Sequence, residues 1–208
     1  MKHEWKKQEK EIYMPRNKPE VVTVPEYKYF MLDGRGNPNK EEFSEVIGVL
    51  YSLSYAVKMM PKKGFTPEGY FDYTVYPLEG VWDLAEEARG LDKLDKDSLI
   101  YTAMIRQPDF VTEELAADVI NSVKHNKLHR LLENVRFGTL MDGLCIQMMH
   151  IGPYDDEPQS FATMQDYCEK MNMRRTSMIH REIYISDTRK TAPEKLKTVL
   201  RFKAEVSS

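Results

Sequence analysis

Glu182 is the residue of this chain whose setting most suggests chemistry. It stands inside "IHREIYISD" (179–187), where Ile183, Tyr184 and Ile185 favour extended backbone. Side chains alternate along a strand. His180, Glu182, Tyr184 and Ser186 therefore share one face, and Arg181, Ile183, Ile185 and Asp187 the other. Ile183 and Ile185 are expected against helices, which aims Glu182 and Tyr184 away from the helical layer, at the concave side of a sheet. A carboxylate placed there has two uses. Partial desolvation raises its pKa and makes it a general base near neutral pH. It also attracts a cationic, planar molecule, helped by ring faces. Spacing alone favours a plainer reading, a strand whose second face is wet and whose glutamate only solubilises.

Material for an aromatic wall is plentiful, with twelve tyrosines and two tryptophans. Trp82, Tyr73 and Tyr101 fall on expected long strands and Tyr55 on a long expected helix. Core packing competes with ligand binding for each. Met149 is one of thirteen methionines, residues that suit an adaptable binding surface, although core filling is their commoner use. His125 and His129 are four apart, a spacing compatible with metal on a helix. No third ligand stands beside them, and "KHNKLHR" reads as a solvated basic face, so no metal is expected, nor any organic cofactor. "DGRGNPN" has two glycines but no phosphate-loop lysine pattern, and reads as a turn. No Ser–His–Asp or Cys–His nucleophile arrangement can be argued.

The elements that must hold these residues follow from length and pattern. The chain has 208 residues, 41% of them hydrophobic, enough for one generous domain or two joined halves. Its net charge of −3 argues against a nucleic-acid partner. Two cysteines, Cys145 and Cys168, lack metal spacing and read as buried thiols of a reducing compartment. No apolar run approaches the roughly 18–20 residues that span a bilayer. The expectation is a soluble, cytoplasmic protein of unspecified oligomeric state, with residues 1–20 as an arm docked by Trp5, Ile12 and Tyr13.

Strands are expected over 21–36, 70–85, 99–109, 179–187 and 196–206, a strand then a turn over "GLCIQMMHIGPYDDEP" (143–158), and helices over 39–60, 112–137 and 159–173. Asn39 and Thr112 are the expected caps of the first two helices. "EEARGLDKLDKDS" makes a turn, and the helical pattern of 112–137 weakens near "KHNK". One order, strand, glycine turn, helix, strand, strand, covers about 21–108 and again about 143–206, with 112–137 as a helical link. The fold class is α+β: a duplicated strand–helix–strand–strand unit, an antiparallel sheet with helices on one face, and a ligand groove between halves related by a pseudo-twofold axis.

The stretches "VVTVPEYKYFMLDGRGNPN", "GVLYSLSYAVKMMPKKG", "YTVYPLEGVWDL" and "HREIYISDTRKTAPEKLKTVLR" resemble the GyrI-like small-molecule-binding domains, over about Val21 to Val206. The last two resemble a stand-alone branch that includes hydrolases opening the cyclopropane ring of spirocyclopropyl cyclohexadienone DNA alkylators. The resemblance implies that Glu182 of "REIYIS" sits at the centre of the ligand groove, with Trp82 and Tyr101 as its aromatic residues. It implies a hydrolase in which Glu182 is the general base, with a hydroxyl of Tyr101 or Tyr184 stabilising the developing phenolate. A non-catalytic module that sequesters amphipathic or cationic drugs is the alternative. A gyrase-modulating protein is a third reading, by family analogy alone.

Overall fold

The computed structural model describes residues 2–88, 95–126 and 129–207. The chain is α+β, and the strand pairs that build its two units are antiparallel. One unit comprises Met1–Glu4, Tyr27–Leu78 and Trp82–Leu140; the other comprises Trp5–Glu26, Glu79–Val81 and Met141–Ser208.

The first unit takes most of strand β1 (Glu20–Arg35), then the long helix, the end of β2 (Leu78–Leu84), β3 (Leu99–Gln107), a second helix and the start of β4 (Arg136–Ile151). β1 and β3 pair in register from Lys28↔Gln107 to Arg35↔Ile100. That register sets Gly34 opposite Tyr101. A Cβ at Gly34 would lie 2.3 Å from Tyr101 Cζ, so the glycine makes room for the ring. The long helix, Glu41–Lys58, buries Phe43, Val46, Val49, Leu50, Leu53 and Val57, the stripe its apolar spacing dictates. Asn39 does not cap it. Lys40 holds the cap position without a side-chain bond, and the Asn39 N–H donates to Asn37 Oδ1 at 3.0 Å. Glu41 and Glu42 in the first turn answer the positive helix end instead. Thr112 does cap the second helix, Glu113–Asn126, its Oγ1 accepting from Leu115 N at 3.1 Å.

Several boundaries differ from the pattern. Only 78–84 of the expected 70–85 strand is a strand, because Pro77 interrupts the pairing. Tyr73 instead makes an isolated bridge to His3. The helix expected over 112–137 stops at Asn126, and β4 begins at Arg136, seven residues before the expected 143. Between them, "HRLLENVRF" keeps a short 3-10 turn over Arg130–Asn134 before the strand begins. Part of the turn expected in 86–98, and Lys127 of "KHNK", lie outside the described residues.

The second unit is organised on β7 (Lys197–Val206), which pairs antiparallel with β4, with the short β5 (Met173–Arg175) and with β6 (His180–Tyr184). On one face its core unites Ile146, Met148, Leu200, Phe202 and Ala204 with Met164 and Cys168 of the helix Glu157–Lys170. The other face carries the N-terminal arm, whose short helices are α1 (Trp5–Gln8) and α2 (Lys10–Tyr13). We number the long helices α3 (Glu41–Lys58), α4 (Glu113–Asn126) and α5 (Glu157–Lys170). Trp5 and Tyr13 are buried with ring centroids 5.2 Å apart. Arg201 donates to Ile12 O at 2.7 Å, and Gln147 to Glu11 O at 2.6 Å. A buried ion cluster lies on the same face. Arg181 bonds Glu79 at 2.7 Å and Asp142 at 2.8 Å.

Candidate functional site

The register of β6 decides where Glu182 points. It pairs with Leu200, and Leu200 pairs with Met148. Paired residues share a face, and Leu200 and Met148 belong to the core under α5. Glu182 therefore lies on the α5 side of the second unit, the reverse of the expectation. Arg181 and Ile183 pair with Arg201 and Val199 and take the arm side. The expectation treated apolar Ile183 as the helix-facing residue. This strand is covered on both sides, so polarity does not reveal which side holds α5.

Around Glu182 the polar groups converge. The Tyr184 hydroxyl donates to Glu182 Oε2 at 2.7 Å, and His180 Nε2 lies 3.1 Å from Oε1. The glutamate side chain is 12% exposed. Phe161 of α5 packs edge-on to His180 at 4.7 Å, and Tyr154 edge-on to Tyr184 at 6.0 Å. Glu157, the first residue of α5, is 7% exposed and meets Glu182 in a carboxyl–carboxyl contact. Its Oε1 is enclosed and receives no ordinary donor. A proton on the Glu157 carboxyl turns that contact into a hydrogen bond. Burial, then the charge and hydrogen bond of Glu182, then Asp155, push Glu157 up to about 9. Burial, helped by Glu182 and Glu157, pushes Tyr154 up to about 12. The site thus holds Glu157, whose carboxyl keeps its proton at neutral pH, against Glu182, beside two tyrosines and an imidazole. Such a group can take a proton, give one, or offer a single negative charge to a cation.

Of the other expected residues, Trp82, Tyr101, Tyr73 and Tyr55 belong to the first unit and Met149 to the second. Trp82 and Tyr101 do come together, with centroids 5.1 Å apart, but in the first unit, where Phe43 of α3 packs on both at 5.6 and 5.0 Å. All three are buried. Burial, then the Glu42 charge, raises the Tyr101 phenol. Tyr73 is fully buried among Phe71, Tyr76 and Phe110, with the Lys58 ammonium 5.1 Å from its ring centroid. Tyr55 is 53% exposed on α3 beside Tyr51. Met149 pairs with Val199 and so points to the face opposite Glu182; Met148 is the methionine on the glutamate's row.

Glu157 and Tyr154 were missed. "GPYDDEP" read as a turn, and Glu157 ends the acidic run Asp155–Asp156–Glu157. Pro158 at the second helical position was the available signal that a helix starts there. Among the described residues no group of His, Cys, Asp and Glu could hold a metal, and no helix is long and apolar enough to cross a membrane.

The chain belongs to the GyrI-like family of small-molecule-binding domains. The model described as "GyrI-like small molecule binding domain" matches residues 17–203. Among solved structures, the chain is similar to a hydrolase from Listeria innocua at 36% identity and a TM-score of 0.88, covering 98% of this chain and 100% of that one. An uncharacterized conserved protein from Listeria innocua is 38% identical with a TM-score of 0.90, covering 98% and 100%. The EcmrR C-terminal domain, at 14% identity and a TM-score of 0.54 over 94% of this chain and 99% of that one, shares the fold alone. No curated protein matches.

Proposed function

We propose that this GyrI-like protein binds a planar, electrophilic small molecule and opens its strained ring with water, with Glu182 as general base. A spirocyclopropyl cyclohexadienone is the substrate class. The observation that carries the reading is the bonding of Glu182: 12% exposed, held by Tyr184 at 2.7 Å and by His180 at 3.1 Å. Two hydrogen bonds fix the carboxylate's direction before substrate arrives, and partial burial strips water from it. Glu182 takes a proton from water as the water oxygen bonds to the ring methylene. The strained carbon–carbon bond breaks, and its electron pair makes the dienone a phenolate. Strain release and aromatisation drive the step, so modest acceleration suffices. Of the two expected tyrosines, Tyr184 is the one hydrogen-bonded to Glu182, which favours it as the assisting hydroxyl. The similarity to a Listeria innocua hydrolase over nearly the whole chain supports the reaction class. The biological role would be detoxification of such compounds in the cytoplasm.

The two glutamates of the site favour one rival, a module that sequesters cationic drugs against carboxylate charge and nearby rings. The two readings separate in one experiment. The protein and its Glu182→Gln variant are incubated with the dienone, and products are followed by mass spectrometry. A water adduct from the wild type alone supports the hydrolase. Tight binding without adduct, with Glu182→Gln weakening cations more than neutral ligands of similar shape, supports sequestration.

A further inference from the structure

His180 stands between two oxygens. Its Nδ1 lies 3.4 Å from the Met178 carbonyl oxygen, and its Nε2 lies 3.1 Å from Glu182 Oε1. A carbonyl oxygen has no proton to give, so a hydrogen bond there puts the proton on Nδ1. That carbonyl is held in place, because Arg175 donates to it at 2.7 Å and to Ser177 O at 2.7 Å. The imidazole is held as well. Phe161 packs on it at 4.7 Å, and the Arg175 guanidinium covers the same phenyl ring at 5.4 Å. With Nδ1 protonated, Nε2 and Oε1 would face each other with lone pairs unless a second proton lies between them. Oε2 is served separately by the Tyr184 hydroxyl at 2.7 Å.

We propose that His180 decides which ligands the site admits: one proton lies between its Nε2 and Glu182 Oε1, so the pair has no net charge and suits a neutral, dipolar molecule rather than a cation. The inference rests on the reading that the ligand meets Glu182. The position of the proton along the contact does not alter the sum. Imidazolium with carboxylate and imidazole with carboxylic acid are both neutral. The other groups around the pair add no buried negative charge. Burial keeps the Glu157 carboxyl protonated and Tyr154 a phenol. Tyr184 donates its own proton, Asp155 is exposed to water, and Arg175 is cationic.

A neutral dienone gains from this arrangement. When Glu182 has taken the proton of water, the pair is left with one positive charge. That charge stands in the site while the electrons of the broken bond gather on the dienone oxygen. A cation gains nothing comparable, since it would give up water without meeting an uncompensated anion. His180 acts through Glu182 and is a positioning residue.

The test reads the ring protons and the ligand preference together. Heteronuclear NMR of the ring nitrogens is recorded on the unliganded wild type at neutral pH, with His180 assigned through its own backbone. Affinities are measured for two planar probes of similar shape, neutral acridine and cationic N-methylacridinium, in the wild type and in His180→Gln. The glutamine keeps an N–H for Oε1 but cannot carry the charge. Dienone opening is followed in both proteins, with circular dichroism as a check on folding. A proton on Nδ1 and a preference for acridine are expected of the wild type. His180→Gln should bind N-methylacridinium about tenfold more tightly than the wild type does, with acridine little changed. Its kcat for the dienone should fall about tenfold while KM stays near the wild-type value. A bare Nδ1 beside a protonated Nε2 would leave Glu182 an uncompensated anion and overturn the proposal, and this signature needs no variant. A folded His180→Gln with the wild-type ligand preference would overturn it too. A wild type that carries the Nδ1 proton and prefers acridine, yet never adds water to the dienone, would overturn the hydrolase reading while supporting the neutral pair.

Discussion

Tyr184 reaches back along its own strand to Glu182, and its hydroxyl donates to Oε2 at 2.7 Å. The two are neighbours on one face because strand side chains repeat every second residue. Tyr154 then packs against the tyrosine ring, so base and hydroxyl are positioned by a single strand and one turn. Tyr184→Phe should stay folded and lose roughly 1.5–3 kcal/mol of interaction with the carboxylate. Dienone turnover should drop on the order of tenfold or more, with a modest fall in melting temperature. Unchanged kcat/KM would remove Tyr184 from the mechanism.

The Glu157 carboxyl also leaves a mark on stability. Its folded value, about 9, lies well above the ordinary glutamate value of 4.5. Between those values the folded chain keeps a proton that the unfolded chain releases. Stability is therefore lost progressively as pH rises through that window, and is unaffected by this group below it. Glu157→Gln escapes the loss. Melting temperatures of the two proteins, taken from about pH 5 to about pH 9, should diverge in favour of the variant as pH rises. Parallel curves would mean that Glu157 is not protonated in the folded protein.

On the opposite face of β6, Arg181 neutralises Glu79, which is 1% exposed, and Asp142. Burial would raise Asp142, but the charges and hydrogen bonds of Arg181, with Arg201, hold it below its ordinary value. Arg181→Met strands Glu79 and leaves Asp142 with Arg201 at 3.8 Å, and should cost about 3–5 kcal/mol, measured by urea denaturation. The companion Arg181→Met/Glu79→Leu/Asp142→Leu should recover much of it. A single variant as stable as wild type would show that the cluster carries no such penalty.

Gly34 is the space that Tyr101 occupies. Gly34→Ala puts a methyl 2.3 Å from the phenol ring and should push that ring off Trp82, 5.1 Å away. The expected cost is about 1–3 kcal/mol, with a shifted tryptophan emission. An unshifted spectrum and melting point would mean that the strand pair yields easily there.

Much of the scaffold was legible because its signals are local. The stripe from Phe43 to Val57 specifies α3, Thr112 caps α4, and alternation isolates Glu182 with His180 and Tyr184. What failed depends on partners distant in sequence. Pro77 reduces a long extended run to seven strand residues. The N-terminal arm covers the Ile183 side of β6, and nothing in "HREIY" states which side a helix will take. Glu157 stands in an acidic run in which only packing distinguishes the buried member from its exposed neighbours. Met149 and Met148 differ by one residue and so by a whole sheet face.

The most direct test is dienone opening in heavy-oxygen water. The wild type is expected to place the solvent oxygen on the product's alkyl carbon, while folded Glu182→Gln leaves the dienone intact. Solvent oxygen incorporated at the wild-type rate by Glu182→Gln would contradict the role of Glu182 as the base.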